Sequence, residues 1–326
     1  MQHYCTLFDR NYAGRGLALY RSLERHGGPF RLTVLCLDEA TLEGFRALAL
    51  TSAELVSLKD LESEDTDLAR VRTDRTPAEY YFTCKPALML SVLRRAHDAR
   101  RITYLDSDLY YFSDPSVLEE EFADGSIALT PHRFPPRLDY LLPKGRFNAG
   151  WVSASSDAEG RAFLEWWRAR CIEWCKVEVD GRRFGDQGYL DEVPQLFPRT
   201  CVIDHPGANL APWNLESHRL TSSGSSVLVD ARPLVFFHFH AVRRMLGKVY
   251  DCGLLQYEAV LSQEARDVVY RPYLSALSRC EQEVASAGIL SLPAQHRTRR
   301  SELRHLASRC KRAFGVVRTG TWVVAP

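Results

Sequence analysis

The sequence predicts an α/β protein, a mostly parallel sheet flanked by helices, followed by a helical C-terminal extension. Three observations carry the prediction. Apolar runs of strand length alternate with amphipathic helical stretches through the first third of the chain. The connections between them are short. The triplet Asp106-Ser107-Asp108 follows at once on a compact apolar run, the place where sites of open α/β sheets lie.

Taken in order, Tyr4 to Phe8 is an apolar run fit for a buried strand. Tyr12 to His26 carries Leu17, Tyr20 and Leu23 at helical spacing and ends in Gly27-Gly28. Arg31 to Leu37 reads as a second strand, Glu39 to Leu50 as a second helix and Leu55 to Leu58 as a third strand. Residues 59 to 78 are polar and charged and read as a surface loop with a helical piece. Tyr80 to Ala96 is a helix on Leu88, Val92 and Leu93, and Ile102 to Leu105 is the strand before the acidic triplet. Ile127 to Thr130 and Arg146 to Ser153 are strands on either side of a Pro-rich loop, Pro131 to Pro143. Asp157 to Cys175 is a long helix with Phe163, Trp166, Trp167 and Cys171 toward the core. Val227 to Val229 and Leu234 to Phe239 are further strands, and after Tyr250 the pattern turns helical.

The 326 residues are 45% hydrophobic and 25% charged, enough for one large domain or two modest ones. Lys and Arg number 42 against 41 Asp and Glu, so the chain lacks the overall basic field of a nucleic-acid binder. The balance hides a division. From His296 to Pro326 eight basic residues face one acid, a net +7, while the first 295 residues carry −6. In that tail Leu303, Leu306, Cys310 and Phe314 fall on one helical face before Gly315, which is expected to stop the helix. Such a helix lies on an anionic membrane surface or docks its apolar face on the acidic body. The first residues lack a signal-peptide pattern, and no stretch approaches the roughly 20 apolar residues of a membrane span. The nine Cys are scattered without a CxxC pair. A reduced, cytoplasmic chain is expected, peripheral at the inner membrane face if the tail binds lipid.

Five patterns could carry chemistry. Asp106 and Asp108, two residues apart in an extended segment, project to one side and suit a hard divalent cation such as magnesium or manganese. In Phe236-Phe237-His238-Phe239-His240 imidazoles alternate with aromatics, and an imidazole donor tilts a mixed site toward manganese. Taken alone, a His in an aromatic strand is more often a satisfied core residue. Gly185-Asp186-Gln187-Gly188 is a loop-to-helix start in which Asp186 also suits an N-cap. Phe147-Asn148-Ala149-Gly150 offers small residues where backbone can approach a ligand, and Trp213-Asn214 is an aromatic-amide pair in a loop. Gly14-Arg15-Gly16 lacks the third glycine of a dinucleotide fingerprint and no P-loop is present, which disfavours an oxidoreductase or a P-loop kinase.

The ordered set, from about Tyr4 to Leu246, resembles the GT-A (Rossmann-like) nucleotide-sugar glycosyltransferases, most closely the family 8 retaining enzymes that include glycogenin and lipopolysaccharide galactosyl- and glucosyltransferases. The resemblance implies a catalytic domain over 1–250 and a helical extension over 251–326. It implies base contacts for Thr6, Asp9 and Tyr12, and metal ligation by Asp106, Asp108 and His238, with Ser107 beside the donor. It places Asn148 at the sugar pocket, Asp186 and Gln187 at the transferred sugar, and Asn214 near the donor. Lys85 becomes a phosphate or ribose contact and Arg244 the diphosphate cation; His240 and Trp213 are further candidates. Ala241, Arg244 and Met245-Leu246 depart from the family's H-F-x-G-x-x-K-P-W. The implied activity is metal-dependent transfer of a hexose, with manganese favoured over magnesium, from a UDP-sugar to a glycan, glycolipid or protein acceptor, with retention.

Two alternatives remain. A haloacid-dehalogenase-like phosphatase would use Asp106 as nucleophile and Asp108 as acid/base, with Asp186 and Asp191 on magnesium. A non-catalytic nucleotide-sugar-binding protein would keep only the fold.

Overall fold

The sheet begins as three parallel strands, β1 (Gln2–Phe8), β2 (Phe30–Cys36) and β3 (Ala53–Ser57), joined by α1 (Ala13–His26) and α2 (Glu39–Leu48). The structure, a computed structural model, describes residues 1–224, 226–290 and 313–325. β1 is covered on both faces, which is why its sequence runs apolar without alternating. Several helix starts are set by side chains. Asp38 accepts from Thr41 N–H at the head of α2, and Thr76 with Glu79 forms a reciprocal cap on α5 (Pro77–Arg95), which opens on Pro77.

Between β3 and α5, where a surface loop with a helical piece is expected, the helical part is larger: two short helices, α3 (Leu58–Glu64) and α4 (Thr66–Val71), and a 3-10 turn. Each buries only one or two apolar residues, such as Leu61 and Leu68, so neither is long enough to display a period. Caps at Ser57 and Asp65 hold them instead.

β4 (Arg101–Leu105) returns parallel to β1, and β5 (Leu109–Tyr111) is a three-residue strand that the sequence did not predict. β6 (Ile127–Pro131), β7 (Phe147–Ser155), α6 (Ala158–Glu173), α7 (Val193–Leu196) and β8 (Thr200–Val202) follow. β7 is antiparallel to both β4 and β6, while β6 and β8 are parallel, so the seven-stranded sheet is mixed, in the order β3-β2-β1-β4-β7-β6-β8. The Pro-rich loop carries a 3-10 stretch, Pro136–Lys144.

Later strands stay outside this sheet. β9 (Leu220–Ser223), β10 (Ser226–Val229) and β11 (Arg232–Pro233) form a meander, and β12 (Phe236–His238) pairs antiparallel with β5. β13 (Arg243–Leu246), β14 (Val249–Asp251) and β15 (Trp322–Val324) form a third small sheet. The extension is thus not wholly helical: its last strand pairs back onto β14. α8 (Arg271–Ser286) is entered through a π-helical turn, and its Tyr273, Leu274 and Leu277 share one core with Leu17 and Tyr20 of α1.

Of the expected tail helix, Leu303, Leu306 and Cys310 lie outside the described residues. Residues 313–319 are helical and run past Gly315. A Cβ on Gly315 would come 3.0 Å from Leu255 Cδ2, so this glycine serves close packing and does not end the helix. The eight described cysteines are unpaired, with Cys171 and Cys175 both buried. No described helix is long and apolar enough to cross a membrane.

Candidate active site

The carboxyl ends of β1 and β4 open into a cleft of about 620 Å³ whose wall includes Asp9, Tyr12, Lys85, Asp106, Asp186 and His238. Two charge clusters meet there.

The first is centred on Lys85. Its ammonium lies 3.1 Å from Asp106 Oδ1, 3.1 Å from Asp186 Oδ2 and 3.3 Å from the carbonyl of Ala149, with the side chain almost wholly buried. Asp106 Oδ1 also accepts from the Tyr104 hydroxyl at 2.9 Å. The Lys85–Asp186 contact is close but not in line for a hydrogen bond, so it is chiefly Coulombic. Burial works against the Lys85 ammonium, yet Asp106 and Asp186 outweigh it and raise its pKa. Burial raises the Asp186 carboxyl above its ordinary range, with Lys85 opposing. The buried Asp186 carboxylate and the half-buried one of Asp106 are tolerable side by side because one buried cation lies between them.

The second cluster comes from the β5–β12 ladder. Leu109 pairs with His238, and Phe239 N–H donates to the carbonyl of Asp108, so the end of β12 is tied to the acidic triplet. His238 Nε2 lies 3.1 Å from Asp108 Oδ1 and 3.9 Å from Asp106 Oδ2. Burial opposes ionisation of Asp108, but the His238 ring holds the carboxyl below its usual range; burial likewise opposes the His238 imidazolium, and Asp108 outweighs it. Asp108, His238 and His240 each offer a ligand atom, all within 4.8 Å of one another. His238 Nδ1 is buried without a hydrogen-bond partner. One carboxylate oxygen and two imidazoles, with an orphaned ring nitrogen, fit a divalent cation with borderline preferences.

Between the clusters runs the start of β7. Asn148 Oδ1 accepts from Gly150 N–H at 2.8 Å, and its amide nitrogen lies 3.1 Å from His132 Nε2. A Cβ on Gly150 would come 2.5 Å from Asn148 Oδ1, 2.8 Å from Asp106 Oδ2 and 2.8 Å from His238 Cε1, so only glycine lets the three groups converge. Gln187 ties β7 to the end of the 3-10 stretch, accepting from Ala149 N–H at 3.3 Å and donating to the carbonyl of Lys144 at 2.8 Å.

His132 is a cleft residue the sequence reasoning missed. Burial pushes its pKa down to about 3, so it is neutral, donating through Nδ1 to the Arg146 carbonyl and accepting from Asn148. Phe134 stacks on it at 4.5 Å, and Trp213 meets His132, His238 and His240 edge-on. His132 follows directly on the end of β6, a strand-end position that the Pro-rich neighbourhood concealed.

The other sequence candidates divide. Asp9, Tyr12, Ser107 and Trp213 line the cleft. Thr6 is buried in β1, away from the cleft wall. Asn214 is also off the wall: its carbonyl accepts from Ala211 N–H and its amide donates to the carbonyls of His132 and Asn209, which shapes the loop that carries Trp213. Arg244 stands apart from the cleft, ion-paired with Glu281 of α8 and stacked 5.2 Å over Tyr250. Asp191 accepts from Arg146 N–H at 2.8 Å and is absent from the cleft wall, so the second acidic pair of a phosphatase does not assemble with Asp106 and Asp108.

No family model matches the sequence. The galactosyltransferase LgtC, solved in complex with donor and acceptor sugar analogues, superposes with a TM-score of 0.51 at 15% identity, covering 90% of this chain and 98% of LgtC. That likeness, with the mixed sheet and its flanking helices, makes the fold GT-A. Two Bacillus subtilis proteins are similar in sequence. The uncharacterized protein YfnF is 36% identical over 254 residues, 74% of this chain and 81% of its own length. The uncharacterized protein YfnD is 33% identical over 288 residues, 87% of this chain and 91% of its own length. The chain, a GT-A fold, belongs to the family of YfnD and YfnF.

Proposed function

We propose that the protein is a metal-dependent glycosyltransferase that moves a hexose from a nucleotide-diphosphate sugar, with UDP as the favoured nucleotide, to an acceptor, with retention. The observation that carries this reading is the meeting, in one GT-A cleft, of the Asp108–His238–His240 donor set and the Asp106–Lys85–Asp186 network. The acceptor is a glycan, glycolipid or protein; LgtC was solved with donor and acceptor sugar analogues, and a cleft of about 620 Å³ has room for comparable groups.

Asp9 and Tyr12, at the end of β1, receive the base, and Asn148 and Gly150 the sugar. Asp108, His238 and His240 hold the cation, manganese in preference to magnesium because two donors are nitrogen. When bound, a divalent cation supplies positive charge to the leaving diphosphate. The sugar C1–O bond to phosphate breaks, and the acceptor oxygen forms the new C1–O bond on the same face. Its proton passes to the departing phosphate oxygen, so no strong side-chain acid is required. Asp186 faces the developing oxocarbenium charge, Lys85 holds Asp186 in place and Gln187 ties β7 to the 3-10 stretch. Residues 1–250 carry the donor site, and within the extension over 251–326 it is α8 that shares a core with α1.

The test is transfer and hydrolysis with a panel of UDP- and GDP-sugars, with manganese, with magnesium and with excess chelator. Equal rates in chelator would remove the metal role, and an inverted anomer by product NMR would remove retention. Binding without turnover would favour the non-catalytic reading.

We assign the basic tail to an anionic membrane surface, at the inner face of a cytoplasmic membrane. Phe314 and Val317 are 69% and 62% exposed, beside exposed Arg318. Deleting the tail would also remove β15, so the informative variant is Phe314→Ser with Val317→Ser in the full chain. Unchanged co-sedimentation with anionic vesicles would sink the assignment.

A further inference from the structure

We infer that His132 is a positioning residue for the donor sugar. It fixes the amide of Asn148 so that Asn148 offers the cleft an N–H, and the site therefore takes a sugar whose facing oxygen accepts a hydrogen bond. This rests on the reading above in which Asn148 receives the sugar. It adds the polarity of that contact and the residue that sets it.

Two backbone groups of fixed character set the order of the hydrogen bonds. The Arg146 carbonyl can only accept, and it lies 3.3 Å from His132 Nδ1, so Nδ1 carries the proton. Burial pushes the pKa of this ring down to about 3, so the ring is neutral and Nε2 is left as an acceptor. Asn148 Nδ2 lies 3.1 Å from Nε2 and is the donor. At the other end, Gly150 N–H can only donate, and it lies 2.8 Å from Asn148 Oδ1. Both ends agree on one orientation of the amide. Its oxygen is turned to Gly150 and one N–H to His132. The second N–H is the one left to the cleft, whose wall includes Asn148.

The imidazole is itself held in place. Arg133 has φ of 51°, a left-handed backbone that residues with side chains rarely adopt. Its guanidinium secures that turn by donating to the carbonyls of Ile203 at 2.8 Å, Ala208 at 2.9 Å and His205 at 3.3 Å. The His132 N–H donates to the Arg146 carbonyl at 2.9 Å, and the His132 carbonyl accepts from Asn214 Nδ2 at 2.9 Å. Phe134 lies over the ring at 4.5 Å, 9° from parallel, and Trp213 meets it edge-on at 5.2 Å. A ring enclosed on both sides keeps Nε2 on Asn148.

The polarity has a chemical consequence. A sugar oxygen opposite Asn148 pairs with the remaining N–H, whereas a bare carbon there leaves a buried donor without a partner. The experiment uses the full chain with Mn²⁺ present. Calorimetry gives the affinity for the UDP- or GDP-sugar that wild type binds best and for the corresponding free UDP or GDP, and thermal melts check that each variant folds. His132→Leu should weaken the nucleotide-sugar by about three- to tenfold and the free diphosphate by less than about threefold. His132→Gln, whose amide can repeat both hydrogen bonds, should recover most of the loss. A second series needs no variant to fold: each sugar hydroxyl in turn is replaced by hydrogen or by fluorine, which accepts but cannot donate. At one position wild type should bind the fluoro sugar better than the deoxy sugar, and Asn148→Ala should lose that preference. A loss under about threefold in folded His132→Leu, an equal loss for the free diphosphate, or no position that prefers fluorine would overturn the assignment and leave the glycosyltransferase reading in place. Wild type that binds neither nucleotide-sugars nor nucleoside diphosphates would overturn both.

Discussion

Lys85 Nζ lies 3.1 Å from Asp186 Oδ2, and both side chains are withdrawn from solvent. Lys85→Met keeps the stem and deletes the charge, leaving Asp106 and Asp186 facing each other unpaired. A loss of about 3–5 kcal/mol is expected in urea unfolding, with turnover falling in parallel. Wild-type stability in that variant would mean that the two carboxylates share a proton without help from lysine.

Asp186→Asn should act differently. It preserves shape and leaves Lys85 paired with Asp106, so the melting temperature should stay close to wild type. If Asp186 faces developing positive charge, kcat should fall about 10²–10³-fold with little change in donor KM. A rise in KM with kcat intact would make Asp186 a binding residue only.

Gly150→Ala tests the convergence of the clusters. The new methyl group has Asn148 Oδ1, Asp106 Oδ2 and His238 Cε1 within 2.8 Å, so one of them must move. The variant should lose the rise in melting temperature that divalent metal gives to wild type. A metal-induced shift of normal size would show that the site opens without cost.

His132 gives a pH signature. Its folded pKa is about 3, below the ordinary 6.5, so the unfolded chain takes up a proton first as pH falls. Its contribution to stability is complete above about pH 6.5 and is lost progressively below it, by about 1.4 kcal/mol per pH unit down toward pH 3. His132→Gln should be less stable at pH 7 but show a shallower decline between pH 6 and 4, measured by denaturant unfolding. Equal slopes would place the acid sensitivity elsewhere.

Arg244→Ala should cost at most about 1 kcal/mol, because its pair with Glu281 is well exposed. Donor KM should change little, since Arg244 is absent from the cleft wall. A large rise in KM would return Arg244 to the phosphate role that the sequence suggests.

The sheet was legible because β1, β2, β4 and β7 are buried runs bounded by turn residues, a strong pattern even without alternation. α3 and α4 were not, since a helix of six or seven residues covering one or two leucines has no period to read. β5 escaped for the same reason, and β12 was seen but not its partner, because pairing is a property of two segments. The motifs of the site were visible as residue types. Their partners were not: nothing local links Lys85 to positions 106 and 186, or His132 to Asn148.

By itself the sequence determined which residues could do chemistry: the carboxylates at 106, 108 and 186, the imidazoles at 238 and 240, and the small residues near 150. Tertiary structure alone decided how they are shared. It set Lys85 between Asp106 and Asp186, brought His240 to Asp108, and turned Arg244 toward Glu281. The physical reason is that composition and spacing fix the charge a residue carries, whereas a buried charge takes its role from whichever opposite charge the fold brings within a few ångströms.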